Sequence, residues 1–274
     1  MQTKENAQAK ELKIKDSTKV PSTIDLESMA GQGSEFVTAN DQKLPMLKIL
    51  YANSPVLDDT DGKYIEGAKP GDIYSETSGT LWKGKEGILL VPCLYINTFN
   101  EWKDKGDSPG RPIKIHTDPA IMTETKRGDD NKDRLPNGNY IEDTGNHFVF
   151  ILDKDYQPVE QALITMKSTQ KKKSKTWNTM ISTRRRQGKN GMFNPARWST
   201  VYRLCTTKES NSQNSWYGWV VEFDKFLYED KDKDLNLLKT TQAFYQSAMK
   251  SDIFGKVDFA EEQQQAKKIE ATPF

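Results

Sequence analysis

A sixteen-residue run, GILLVPCLYINTFNEW (Gly87–Trp102), is the strongest strand candidate in the chain, and a proline stands inside it. Pro92 cannot donate to a strand ladder, so a strand here must carry a bulge or lie at a sheet edge. A bent, strongly curved strand is what a small β-barrel requires. Other segments supply companions. HFVFILD (His147–Asp153) and VEQALITM (Val159–Met166) form a hairpin pattern around residues 154–157. STVYRLCTT (Ser199–Thr207) and SWYGWVVEFD (Ser215–Asp224) read as a second pair across a polar loop. LPMLKIL (Leu44–Leu50) alternates as a strand entered at Pro45, and Asp61-Gly62 and Pro70-Gly71 mark the turns that follow it. The expected fold class is therefore mainly β with α insertions: an OB-like Greek-key barrel of five or six strands. A C-terminal amphipathic helix is added by Leu235, Leu238, Phe244, Tyr245 and Met249, which fall along one stripe of residues 235–254. That helix either packs back on the barrel or meets a partner.

Apolar residues concentrate between Leu44 and Tyr228, and both ends are polar. Residues 1–35 are too poor in large apolar groups to offset their ordering entropy and are expected to form a disordered arm. Residues 36–228 form the folded domain, and 229–274 hold the C-terminal helix and a mobile tail. Within the domain, residues 103–146 are rich in Gly, Pro and Asp and read as a long excursion with little regular structure. No apolar run is long enough to cross a membrane, and the N-terminus lacks a signal-peptide centre, so a cytoplasmic location is expected.

Charge is distributed unevenly. From Gln161 to Lys208 there is no Asp or Glu, yet there are twelve cations: Lys167, Lys171, Lys172, Lys173, Lys175, Arg184, Arg185, Arg186, Lys189, Arg197, Arg203 and Lys208. Of 40 basic and 39 acidic residues, 28 and 39 lie elsewhere, so a net charge of +1 conceals +12 beside −11. Such a block attracts phosphate. Trp177, Phe193, Trp198 and Tyr202 are interleaved with it. Cations neutralise a nucleic-acid backbone and aromatic faces stack unpaired bases, so the insertion 167–198 points to single strands. Ser168 is a candidate N-cap for a helix that would place Trp177, Met180 and Ile181 on one side. Lys171, Lys172, Lys175 and Arg186 would project from the other. Trp177 then either stacks on a base or anchors the helix to the core. Residues 184–198, with two glycines and a proline, read as a flexible loop.

Chemistry-bearing constellations are missing. Cys93 and Cys205 each sit alone in a strand-like run, and His116 and His147 have no ligand-spaced partners, so no metal, cofactor or catalytic residue is expected. The acidic triplet Asp58, Asp59 and Asp61 lacks EF-hand spacing and reads as a turn. Asp129, Asp130 and Asp133 in the excursion could compete with nucleic acid for the basic face.

LPMLKIL (44–50), GAKPGDIY (67–74), the run ending at Trp102 and ALITMKSTQKKKSKTWNTMI (162–181), in that order, resemble the single-stranded DNA-binding proteins of tailed bacteriophages. The resemblance implies an OB-type fold, coating of single strands during phage DNA replication or recombination, and contacts with replication proteins. The terminal Pro273-Phe274 is similar to the Pro-Phe tip by which bacterial single-strand binders recruit partners, although the acidic tail of those proteins is replaced here by Lys267, Lys268 and a single Glu270. The leading expectation is a non-catalytic binder of single-stranded DNA. Phosphate contacts come from the basic residues, and stacking comes from Trp198, Phe193 and either Trp177 or Trp102. The alternatives are a virion assembly protein with a basic segment and a strand-annealing protein.

Overall fold

The computed structural model describes residues 25, 28–37, 41, 44–104, 111–212 and 214–250. Two compact units are present, Met1–Thr38 and Ala39–Phe274. In the first, residues 28–36 form successive turns, and Phe36 is 93% exposed. Most of the arm expected over residues 1–35 lies outside the described residues. Among the described residues of the second unit, the first buried apolar side chain is Met46.

In chain order the second unit contains β1 (Leu47–Ile49), β2 (Ile73–Ser75), β3 (Leu81–Trp82), β4 (Ile88–Trp102), β5 (Lys114–His116), β6 (Lys126–Arg127), β7 (Asp133–Arg134), β8 (Tyr140–Leu152) and β9 (Pro158–Met166). Helix α1 (Lys171–Thr183), β10 (Arg186–Gly188), β11 (Gly191–Phe193), β12 (Thr200–Ser210), β13 (Ser215–Phe226) and helix α2 (Asp232–Lys250) follow. The result is mainly β: a curled antiparallel sheet with a C-terminal helix. Its spine is the pairing of β4 with β8, from Leu89 opposite Leu152 to Trp102 opposite Tyr140. At one end the order is β13-β12-β4-β8-β9, and at the other β5 flanks β4 while β7 and β6 flank β8. Register shifts between Pro92 and Leu94, so the bulge demanded by the proline is present and lets the ribbon bend.

Both faces of this ribbon are covered, which explains why its sequence is apolar almost continuously. On one face Leu89, Val91, Phe148, Phe150 and Leu152 pack with Leu237, Phe244 and Ala248 of α2. On the other, Ile88, Leu90, Val149 and Ile151 pack with β1, β2, β9, Tyr202, Leu204 and Trp177 of α1. The small β1-β2-β3 sheet is tied to the edges of the large one. Leu163 N–H donates to Pro45 O (2.8 Å) and Thr206 N–H to Gly84 O (2.8 Å).

Helix α2 packs back on the sheet, along a stripe displaced from the one read in the sequence. Asp234, Leu237, Thr241, Phe244 and Ala248 are buried, whereas Met249 is 58% exposed. Phe244 meets Phe150 edge-on at 5.9 Å. Asp234 accepts from Tyr228 N–H (3.1 Å) and Lys225 Nζ (2.9 Å), which fixes the first turn of α2, where a carboxylate also suits the helix dipole.

Three further expectations need correction. The excursion over residues 103–146 is partly ordered, because β5, β6, β7 and the first half of β8 pair there. Residues 184–198 are not a loop throughout: β10 and β11 form a hairpin, with Arg186 opposite Phe193. Ser168 does not cap α1. It sits at φ 48° in a 3-10 turn, Ser168–Gln170, and makes no capping bond. The helix is held by tertiary contacts, as a short helix of modest propensity must be.

Those contacts converge on Gly145. A Cβ there would collide with Ser174 Oγ and crowd the Tyr95 ring at 3.2 Å, so only glycine lets α1 lie directly on β8. Gly145→Ala is expected to lower stability by about 1–3 kcal/mol. A fall in the urea midpoint with an unchanged slope is the reading that checks it.

Candidate nucleic-acid interface

The acid-free block folds into the end of β9, α1, the β10–β11 hairpin and the start of β12. Acids absent from it in sequence return to it in space. Lys167 pairs with Glu142 (3.2 Å), Lys171 with Asp143, Lys173 with Glu209, and Arg186 with Glu229 (3.0 Å). Lys171, which the helical spacing sends toward solvent, is instead buried and also bonds to Asn97, whose own amide donates to Asp143 (2.8 Å). Arg186 donates as well to Leu227 O (3.0 Å) and covers the Tyr228 ring at 4.1 Å. Arg203 donates to Glu86 O (3.2 Å). These five cations fasten the block to the sheet rather than offer themselves to a ligand.

Lys172, Lys175, Arg185, Lys189 and Lys208 are exposed and have no ion pair with any described residue. The first four lie on α1 and the hairpin, which are joined where Asn194 Nδ2 donates to Ser182 O (3.1 Å). They form a basic arm. Arg184 and Arg197 stand where the hairpin meets the sheet, Arg184 over the Phe223 ring at 3.7 Å and Arg197 near the Tyr95 ring at 5.6 Å.

The aromatic residues expected to stack bases are mostly core. Trp102, Trp177 and Tyr202 are buried, because each lies on a face covered by a second layer. Trp198 is half-buried against the α2-side core, and its carbonyl accepts from Thr241 Oγ1 (3.0 Å). Phe193 is the exception at 44% exposure, with Met192 beside it at 56%. Trp177 stacks on His147 with ring centroids 4.4 Å apart and planes 18° from parallel, while His147 Nε2 bonds Ser174 Oγ (2.8 Å). His147 is thus the seat of α1. The sequence carried no local signal of this, since its partners are 27 and more positions away.

Asp130 is held by Arg134 (2.6 Å) and Asp133 by Arg127 (2.9 Å), so these acids of the excursion are engaged by its own cations. Arg134 also grips Asp104 (2.9 Å). These hydrogen bonds hold the Asp104 and Asp130 carboxyls below the usual carboxylate range. Cys93 is buried, Cys205 partly so, and both are free thiols. Among the described residues no group of His, Cys, Asp and Glu is placed to hold a metal ion, and no helix is long and apolar enough to cross a membrane. Pro273 and Phe274 lie outside the described residues.

Fold and surface together define a mainly β protein that mounts a basic helix–hairpin arm on a curled antiparallel sheet. The chain belongs to the Pam3 phage gp34-like protein family, whose model matches residues 10–253, and it is therefore a phage protein. No curated protein and no solved structure matches it.

Burial pushes the His147 pKa well below its ordinary value, and the charges of Arg197 and Lys171 push it further. The unfolded chain therefore binds a proton at His147 that the folded chain refuses. Stability from this group is fully present above about pH 6.5 and falls by about 1.4 kcal/mol per unit below it. Melting curves between pH 5 and 8 should show this acid limb in the wild type and a shallower one in His147→Gln.

Proposed function

We propose that this phage protein is a non-catalytic binder of single-stranded DNA, acting in phage DNA replication or recombination. The observation that carries the reading is the arm: Lys172, Lys175, Arg185 and Lys189 are exposed and free of ion pairs with described residues, and Phe193 stands open beside them. Flexible cations meet backbone phosphates, and one exposed ring offers a face to a base. The finer architecture in this reading is an OB-like barrel. Supporting it are the Pro92 bulge and the bonds that tie the small sheet to β9 and β12. Recruitment of replication or recombination proteins by the C-terminal Pro273-Phe274 belongs to the same reading.

A second reading is favoured by one observation. With Trp102, Trp177 and Tyr202 in the core, the arm has few stacking faces, which suits contact with the backbone alone. A particle-assembly protein touching packaged nucleic acid would need no more, whereas strand annealing is read separately, by mixing complementary strands with the protein. The two readings differ in strand selectivity.

Fluorescence anisotropy with equal lengths of single-stranded and duplex DNA separates them. The proposal expects strong single-strand preference and a log-log salt slope of about −3 for roughly four neutralised phosphates. Phe193→Ala is expected to weaken binding by about 1–3 kcal/mol while changing stability by less than about 0.5 kcal/mol. Equal affinity for both forms would transfer the assignment to assembly. Absence of binding would end both.

A further inference from the structure

Nine buried side-chain atoms among the described residues have no hydrogen-bond partner, and five belong to one neighbourhood: His147 Nδ1, Trp177 Nε1, Arg184 Nε, Arg197 Nη1 and Tyr202 Oη. A chain of ring contacts connects them. Arg197 lies near Tyr95 (5.6 Å), Tyr95 near His147 (4.8 Å), His147 on Trp177 (4.4 Å), Trp177 against Tyr202 (5.9 Å), Tyr202 against Phe223 (5.8 Å), and Phe223 under Arg184 (3.7 Å). Tyr202 Oη lies close to Thr200 and to Arg184 without reaching good hydrogen-bond geometry with either.

The arginine and tryptophan atoms can donate and cannot accept, so the deficit is one of acceptors. Both guanidinium groups lack an ion pair with any described carboxylate, in contrast to Lys171, Lys173 and Arg186 of the same block. Arg197 donates to the neutral Asn178 amide oxygen. Burial pulls its pKa down to about 10, opposed by Tyr202, Tyr95 and Cys93 and by no Asp or Glu. It stays charged at neutral pH in a setting that penalises charge. Natural structures pair such groups or keep them for a ligand.

Position narrows the ligand. Arg184 precedes β10 and Arg197 follows β11, so the two stand at the entrance and exit of the hairpin that carries Arg185 and Lys189 outward. A planar guanidinium matches a tetrahedral oxyanion through two parallel donors.

We propose that Arg184 and Arg197 are phosphate-recognition residues at the base of the arm, each offering its guanidinium to a backbone phosphodiester, while Lys172, Lys175, Arg185 and Lys189 supply the surrounding field. The identity of the ligand as a nucleic-acid phosphodiester rests on the single-strand reading above; the site for a phosphate group does not.

The test compares full-length wild type with Arg184→Gln, Arg197→Gln and Lys175→Gln in two measurements. One is thermal melting in inorganic phosphate against chloride at equal ionic strength, and the other is affinity for a single-stranded oligonucleotide. Phosphate should raise the wild-type melting temperature above the chloride control, and either arginine variant should lose that increment. Oligonucleotide affinity should fall about tenfold or more in each arginine variant and only about twofold in Lys175→Gln. Should Arg197→Gln fail to fold, Arg197→Lys keeps the charge without the fork and is expected to lose the phosphate increment all the same. A wild type that phosphate does not stabilise, or arginine variants that keep the increment or bind a tightly bound oligonucleotide within about twofold of wild type, would overturn the assignment. A phosphate increment lost in the variants, with no oligonucleotide binding by wild type, would assign the two arginines to a free phosphate group and remove the single-strand reading.

Discussion

The pairing of β4 with β8 runs from Leu89 opposite Leu152 to Trp102 opposite Tyr140, and the other layers attach to it. Its two faces bury separate clusters, one closed by α2 and the other by β1, β2, β9 and α1. Two twisted strands this long cannot stay straight, and the bulge at Pro92 to Leu94 sets where they bend. The bend allows β12 to pair with β4 at Ile88–Leu90 while β5 pairs with it at Phe99–Glu101. One ribbon thereby serves two local sheets.

Electrostatics divides the basic block into fastened and free parts. Desolvating an ammonium group is costly unless a partner replaces water, so the buried Lys171 sits between Asp143 and Asn97. Lys173 and Arg186, part-buried, take Glu209 and Glu229. Exposed Lys172, Lys175, Arg185 and Lys189 need no such compensation and keep their charge available. The field of the arm is smaller than a count of twelve cations suggests, and it is concentrated at the outer helix face and the hairpin.

Strands were legible from the sequence where a run was long and apolar. The bulge at Pro92, the β8–β9 hairpin, the β12–β13 pair and a helix over Trp177 all followed from local pattern. What escaped were properties of distant residues. Asp143, Glu142, Glu209 and Glu229 neutralise parts of the block from outside it, which no window of sequence reveals. Gly145 and His147 form the seat of α1 through space, and Tyr202 and Trp102 were read as surface because their strands were not known to be covered on both faces. The stripe of α2 slipped because Thr241 and Ala248, small and weakly apolar, fit the close approach to the sheet better than Met249.

The order in which these pieces leave the ribosome is unfavourable. β4 and β8 can pair early, but the N-terminal part of β4 gains its second neighbour only when β12 emerges, and the outer face of the ribbon is covered only by α2. Met46 and Leu163 must also find each other across most of the domain. Nascent chains therefore carry an apolar ribbon, uncovered on one side, through much of synthesis, the kind of surface that chaperones engage. A high proportion of non-local pairing also places this domain among slow folders.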